Sequence, residues 1–404
     1  MNESTPVAAH AAVAAEPRHR PLLMLFIAFL AQNMAVGMTF AAIGVLMTPL
    51  GQDLQGSRSL LSLTIALLVL TSGLLGPFTG TLLDRWSLRG TLAIGCALVA
   101  LGFVIAARSQ STLGFVLGFG AVAGVGLSMA GTRSANKIVV VWFRERIGAA
   151  SGIVNVSLLN PVGPPLYAMF IASYGWRALL DLFALLFIAL LGLCLLVRTP
   201  VGTAPAALRT TTADHDDNRS LLRNGLFWSL ALSYGLLTAS GIASTIHLVP
   251  HAEGLGYTPQ QAALLLTVLG VCAILGNFLF GWLCDWLSPR QSLLINAAVQ
   301  GVSWLVLALD QSLPGLVLAA AGIGLGSSGV VPIFIALMSR SYRASEFGRV
   351  FGLMGLVALP FVIAAAPLAG LLYDLSGDYA PAFAVQAVLC AVPLLALLRV
   401  RSHA

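Results

Sequence analysis

Twelve apolar segments, at 22–49, 59–83, 91–107, 112–141, 147–172, 178–197, 224–249, 260–284, 291–309, 313–338, 348–373 and 380–398, occupy most of the chain. Each has roughly 17 to 30 residues, enough at about 1.5 Å per residue to cross a hydrocarbon core of about 30 Å. Lipid offers backbone amides no partners, so continuous apolar runs of this length must satisfy their own hydrogen bonds as helices. Only 9% of the residues are charged and 58% are hydrophobic, against about 25% charged in an ordinary soluble domain. A soluble globular fold is excluded.

The polar stretches divide the chain into an N-terminal tail (1–21), a first six-helix bundle (22–197), a linker (198–223), a second six-helix bundle (224–398) and a short tail (399–404). The first apolar run is too long for a signal-peptide core and reads as an uncleaved span. With the N-terminus in the cytoplasm, sixteen arginines fall on the cytoplasmic side and only Arg58, Arg108 and Arg177 on the other. Positive loops stay inside, so both termini are expected in the cytoplasm, with the chain in the cell inner membrane. The net charge of +6 thereby has a topological meaning, and no nucleic-acid partner is expected. Cys96, Cys194, Cys272, Cys284 and Cys390 lie in apolar stretches without metal-ligand spacing and read as small buried hydrophobes. Asp214, His215, Asp216 and Asp217 sit in the linker, where a solvated loop lacks the rigid frame that metal ligands need. No metal, cofactor or obligate oligomer is expected; the chain reads as a monomer.

An internal repeat organises the two bundles. Gly124 and Gly126 recur as Gly324 and Gly326, Gly148 and Gly152 as Gly348 and Gly352, and Asp84 and Arg89 as Asp285 and Arg290, always 200 or 201 residues apart. Two six-helix halves in parallel orientation are a transporter architecture, with the substrate path at their interface.

The segment Gly76-Pro-Phe-Thr-Gly80-Thr-Leu-Leu-Asp84-Arg85-Trp-Ser-Leu-Arg89-Gly90 and its partner Gly281-Trp-Leu-Cys-Asp285-Trp-Leu-Ser-Pro-Arg290 resemble the loop signature of the major facilitator superfamily. The resemblance covers the whole chain. It implies an all-α integral membrane protein of twelve transmembrane helices in two pseudo-symmetric bundles, with Asp84, Arg85, Arg89, Asp285 and Arg290 controlling an inner gate. A carboxylate at a helix N-terminus with arginine neighbours suits a latch; the competing reading is a tight turn. The run Trp142-Phe143-Arg144-Glu-Arg146-Ile-Gly148-Ala-Ala-Ser-Gly152, with Thr245–His251 and Gly370–Gly377, is similar to bacterial monocarboxylate-transporter-like (oxalate/formate antiporter-like) members. Those relatives place an arginine four residues before Gly281, where this chain has Asn277.

A charge inside the membrane is costly unless it meets water, a partner or a ligand. Arg133 and Lys137 are the cations in question. Arg133 precedes the interfacial Trp142 by nine residues, or about 13 Å, so it lies near the midplane; Lys137 is shallower and within snorkelling reach. Asp181, Asp310 and Asp374 fall at outer helix ends, so no buried ion pair is expected. Arg133 is therefore the candidate contact for an anionic substrate, against the alternative of a guanidinium satisfied by carbonyls, amides and water. Gln32, Asn33, Asn155, Ser240, Ser244 and Asn277 are candidate polar contacts, each competing with a role in joining helices. His247 is a candidate proton-coupling group because histidine titrates near neutral pH, set against a purely structural role. Pro161, Pro164 and Pro165 in the fifth segment answer Pro360 and Pro367 in the eleventh, where bends would serve opening and closing or simple packing.

No nucleophile elbow, zinc-protease or phosphate-loop motif is present, so no enzyme is expected. The reading is a secondary active or facilitative transporter, by symport, antiport or uniport, that moves a small organic solute with or without a proton across the bilayer. An organic anion such as a monocarboxylate is the favoured solute. The alternatives are export of a drug or amphipathic compound and, third, a transporter-derived sensor.

Overall fold

The computed structural model describes residues 19–54, 58–143, 145–198 and 221–399, and these are almost entirely helical. Arg144, the linker residues 199–220 with the Asp214–Asp217 cluster, and both extreme tails lie outside the described residues. Helix α1 (His19–Val36) passes through a π-helical turn (Gly37–Ala41) into α2 (Ala42–Asp53). Helices α3 (Arg58–Leu74) and α4 (Gly76–Arg85) meet at a bend of 43°. After α5 (Leu88–Arg108) come α6 (Thr112–Phe115), a second π-helical stretch (Val116–Val122), α7 (Ala123–Ala130) and α8 (Thr132–Trp142), which together make one broken span. Then follow α9 (Ile147–Val154), α10 (Leu159–Cys194), α11 (Gly225–Gly254), α12 (Pro259–Trp286), α13 (Pro289–Leu309), α14 (Leu313–Ser341), α15 (Phe347–Ser376) and α16 (Ala380–Arg399).

Each of the twelve apolar segments is mainly helical, with a break inside the fifth at residues 155–158. Among the described residues nine stretches are long and apolar enough to cross a membrane, and the bent pair of α3 and α4 makes ten. The remainder is accounted for by one merged stretch and one short helix. Ile147–Cys194 runs for 48 residues and contains two of the expected segments, while Ala380–Leu394 is a shorter apolar helix. Within the merged stretch the backbone turns at Gly175, where φ is 84°, a value a side chain with a Cβ rarely adopts. The residues after that turn anchor it. Trp176 donates from Nε1 to Asp53 Oδ2 at 3.1 Å, Arg177 pairs with the same carboxylate, and Arg177 Nη2 donates to the Ser109 carbonyl at 3.2 Å. The Arg177 hydrogen bond holds the Asp53 carboxyl below its ordinary range.

The described chain forms two compact units. The first comprises Met1–Arg144, Val154–Thr210 and Tyr342–Leu353, and the second Glu145–Ile153, Thr211–Ser341 and Met354–Ala404.

In the first unit, Phe103 of α5 is fully buried against Phe119, Phe183 and Phe187, with ring centroids 5.2, 5.6 and 5.8 Å away. Tilted and edge-on rings at these distances fill the core where α5 packs on α10. The chain unwinds at residues 155–158, after α9, and Asn33 repairs the break. Its Nδ2 donates to the Val156 carbonyl at 2.8 Å, and its Oδ1 accepts from the Leu158 N–H at 2.7 Å. Asn33→Ala leaves both backbone groups unmet, at about 1–3 kcal/mol for a buried unsatisfied group. The expected result is a clearly lower melting temperature for the purified protein; an unchanged one would show that the amide is dispensable.

The second unit is built on α13, which packs against α14 and α16. Inside it runs a directed chain of hydrogen bonds. Trp304 donates to the Ser240 hydroxyl, Ser240 to Gln300 Oε1 at 3.0 Å, Gln300 to Asn296 Oδ1 at 2.8 Å, and Asn296 to the Gly326 carbonyl at 2.8 Å. Each buried donor thereby meets an acceptor, as a lipid-surrounded interior requires. The repeat also extends to the caps: Ser87 begins α5 by accepting from Gly90 N at 3.1 Å, and Ser288 begins α13 by accepting from Gln291 N at 3.2 Å.

Candidate functional site

Arg133 is positioned by a helix break. Helix α7 ends at Ala130, Gly131 leaves helical geometry with ψ −144°, and α8 starts at Thr132, which puts Arg133 in the first turn. The side chain is half-buried. Its Nη1 donates to the Ser72 carbonyl and to the Ser128 hydroxyl, both at 3.3 Å, and Ser128 is bonded in turn to Thr79 at 2.9 Å. The guanidinium lies against Gly76, where an added Cβ would stand 2.7 Å from Nη2. The absence of a side chain at Gly76 therefore makes the room Arg133 occupies. By the repeat, Arg133 corresponds to Ile333 and Gly76 to Asn277. The second unit thus carries an amide where the first makes space for a cation.

Lys137 corrects the expectation from sequence. It neither snorkels nor lacks an acid: Nζ lies 2.6 Å from Asp84 Oδ1, with the two side chains only 7% and 5% exposed. The sequence places Asp84 in a loop at the membrane edge. In the structure α4 continues to Arg85 and turns the carboxylate inward to α8. Helical phase, which sequence depth alone does not give, brings together groups 53 residues apart.

The Asp84 carboxylate also caps a helix. Oδ1 accepts from Gly348 N at 2.9 Å and Oδ2 from Arg349 N at 2.7 Å, at the start of α15 and within the first unit. Asp285 does the same in the second unit, accepting from Gly148 N at 3.0 Å and Ala149 N at 2.8 Å. The duplicated acids are helix-capping groups. Close glycine contacts accompany both caps: an added Cβ on Gly80 would lie 1.9 Å from the Gly348 carbonyl oxygen, and one on Gly148 would lie 2.3 Å from that of Gly281. Arg85 and Arg290 are half-buried. Arg89 is exposed and lines a cavity of about 590 Å³ with Trp86 and Arg198.

The neutral candidates differ in how fully their polar atoms are engaged. Asn33 is held by the α9 break, Ser240 belongs to the directed chain, and Ser244 donates to the Gly241 carbonyl at 2.8 Å. Asn155 forms a reciprocal amide pair with Asn136, at 3.0 and 3.3 Å. Asn33, Ser240 and Asn155 bond across to other segments, whereas Ser244 bonds within its own helix. Gln32 and Asn277 are 5% and 6% exposed, and Gln32 Oε1 and Asn277 Oδ1 are buried without a hydrogen-bond partner. These two retain acceptor capacity. His247, in the second unit, has Nδ1 3.5 Å from the Tyr379 hydroxyl. Sequence reading missed Asn136, Asn296, Gln300 and Trp304; the signal available was the i, i+4 spacing of Asn296, Gln300 and Trp304 on one face of α13.

Comparison with known proteins agrees with this architecture. Residues 22–299 and 235–404 match the family described as Major Facilitator Superfamily. Monocarboxylate transporter 13 of Bos taurus is 26% identical over 318 residues, covering 76% of this chain and 72% of that protein. An uncharacterized MFS-type transporter of Bacillus subtilis, YcxA, is 25% identical over 356 residues, covering 82% and 84%. Among solved structures, the E. coli fucose:proton symporter FucP superposes with a TM-score of 0.75 at 18% identity, covering 95% of this chain and 99% of that one. The human organic anion transporter MFSD10 gives 0.73 at 18% identity, covering 95% and 100%. The structural likenesses establish the fold, and the family match spans nearly the whole sequence. The chain, with its duplicated helix-capping acids and helical segments throughout, belongs to the Major Facilitator Superfamily of membrane transporters and is distantly related to the monocarboxylate transporters.

Proposed function

We propose that this transporter moves a small organic anion, most simply a monocarboxylate, across the cell inner membrane by alternating access, with both termini in the cytoplasm. The observation that carries the reading is Arg133, a half-buried guanidinium in the first turn of α8. Its planar fork matches a carboxylate in a way a point charge does not. The bonds to Ser72 and Ser128 set its orientation, and the missing side chain at Gly76 gives the guanidinium its room. The Gln32 amide supplies a further acceptor in the same unit, suited to the hydroxyl of a hydroxy acid. Asp84 and Asp285, with Arg85, Arg89 and Arg290 nearby in sequence, act at the inner gate by holding and releasing helix starts. Where a proton accompanies the solute, His247 is the group that carries it. The names of the related monocarboxylate transporters support the same class of solute.

A thermal-shift series on purified protein tests the substrate class, because a ligand that binds only the folded state raises the melting temperature. Short monocarboxylates are expected to stabilise the protein in a saturable manner while lipophilic drug-like cations do not. Stabilisation by the cations alone would reject an anion carrier in favour of an exporter of amphipathic compounds.

A further inference from the structure

The chain contains a single lysine, and it is one of the most buried charges in the described structure. Besides its ion pair with Asp84, Lys137 donates to the Ala344 carbonyl, and its ammonium stands 5.9 Å from the centre of the Phe347 ring. One ammonium and one carboxylate therefore join three segments of the first unit: the end of α4, the middle of α8, and the turn that leads into α15. The repeat supplies an internal control. Asp285 makes the same two N–H bonds, but the residue 200 positions after Lys137 is Leu337, and Asp285 is only half-buried. Arg340, the basic group near that copy, donates to the Cys284 carbonyl at 3.5 Å.

We infer that Lys137 is a positioning residue that arms the Asp84 latch alone, so the two duplicated latches are unequal and release of residues 342–353 from the first unit is the harder step. The inference rests on the gating role proposed for the two acids and is independent of Arg133 and of the solute. Its physical basis is the behaviour of buried pairs. A lone buried carboxylate or ammonium is strongly disfavoured, so opening this latch must resolvate both charges together, and removing one partner does more damage than removing both. The second latch is a helix cap on a half-buried acid and opens with one charge already near water.

Hydrogen exchange of the full-length protein in lipid nanodiscs reads both latches, because the protected amides are the capped ones. Peptides spanning 343–353 report Gly348 and Arg349; peptides spanning 145–153 report Gly148 and Ala149. In the unaltered protein the first pair is expected to exchange about tenfold or more slower than the second. Lys137→Met should erase that difference by accelerating Gly348 and Arg349 while leaving Gly148 and Ala149 as they were. Lys137→Arg, which keeps the charge, should restore most of the protection. Asp84→Asn combined with Lys137→Met should exchange more slowly at 348–349 than Asp84→Asn alone, since no charge is then stranded. Equal protection of the two pairs in the unaltered protein would overturn the inference, and so would acceleration of both pairs alike by Lys137→Met, the mark of a general structural loss. Solute transport is not part of the readout, so failure here leaves the anion reading standing, and failure of the anion reading leaves the latch result standing.

Discussion

Arg133→Ala should leave a folded protein that transports its solute at least about a hundredfold more slowly. Truncating one partner of a buried, charge-assisted contact costs about 2–5 kcal/mol, and about 2.7 kcal/mol is a hundredfold in affinity. The cost to the fold should be small, because the guanidinium is half-buried and the bonds to Ser72 and Ser128, at 3.3 Å, are long. Ser128 keeps its 2.9 Å contact with Thr79 after the change. Transport in proteoliposomes measured beside thermal unfolding separates the two effects. Arg133→Lys should recover part of the rate, since it restores the charge without the fork. A variant that unfolds together with its loss of transport would assign Arg133 to the scaffold.

Gly80→Val is expected to be the most damaging single change at the gate. A Cβ at Gly80 would lie 1.9 Å from the Gly348 carbonyl oxygen and 2.5 Å from its carbonyl carbon, and a Cβ at Gly348 would lie 2.5 Å from the Gly80 carbonyl oxygen. Both sides of the contact are backbone, so no rotamer change relieves it. The start of α15 must move away from α4, and that movement breaks the bonds from Gly348 and Arg349 to Asp84. Overpacking of this kind costs about 1–3 kcal/mol. Transport should be lost, and the amides of 348 and 349 should lose their exchange protection. Gly192→Ala is the matched control, because nothing stands within 4 Å of a Cβ there, and it should be silent in both measurements.

The contrast between these two sites shows what the sequence reveals. The apolar segments and their repeat are visible because lipid imposes length and polarity on every span, and the duplicated glycines and acids are visible because each recurs at one offset. Gly148 and Gly348, matched by that offset, do lie at equivalent backbone crossings in their units. What sequence does not show is which side of a helix a polar group faces. Lys137 and Asp84 stood apart on depth alone, and rotation of α4 and α8 brought them together in an ion pair. Asn33 reads as a candidate ligand contact until the unwound residues 155–158, which carry no glycine or proline to announce them, prove to need its amide. The gentler breaks are of the same kind: the π-helical stretches at 37–41 and 116–122 arise inside runs whose hydropathy is uninterrupted.

Counterflow in proteoliposomes tests the anion carrier most directly. Vesicles preloaded with a short unlabelled monocarboxylate should accumulate the labelled form saturably with the unaltered protein, and vesicles carrying Arg133→Gln should not. Equal accumulation by both, or saturable movement of lipophilic cations but of no carboxylate, would contradict an organic-anion carrier built around Arg133.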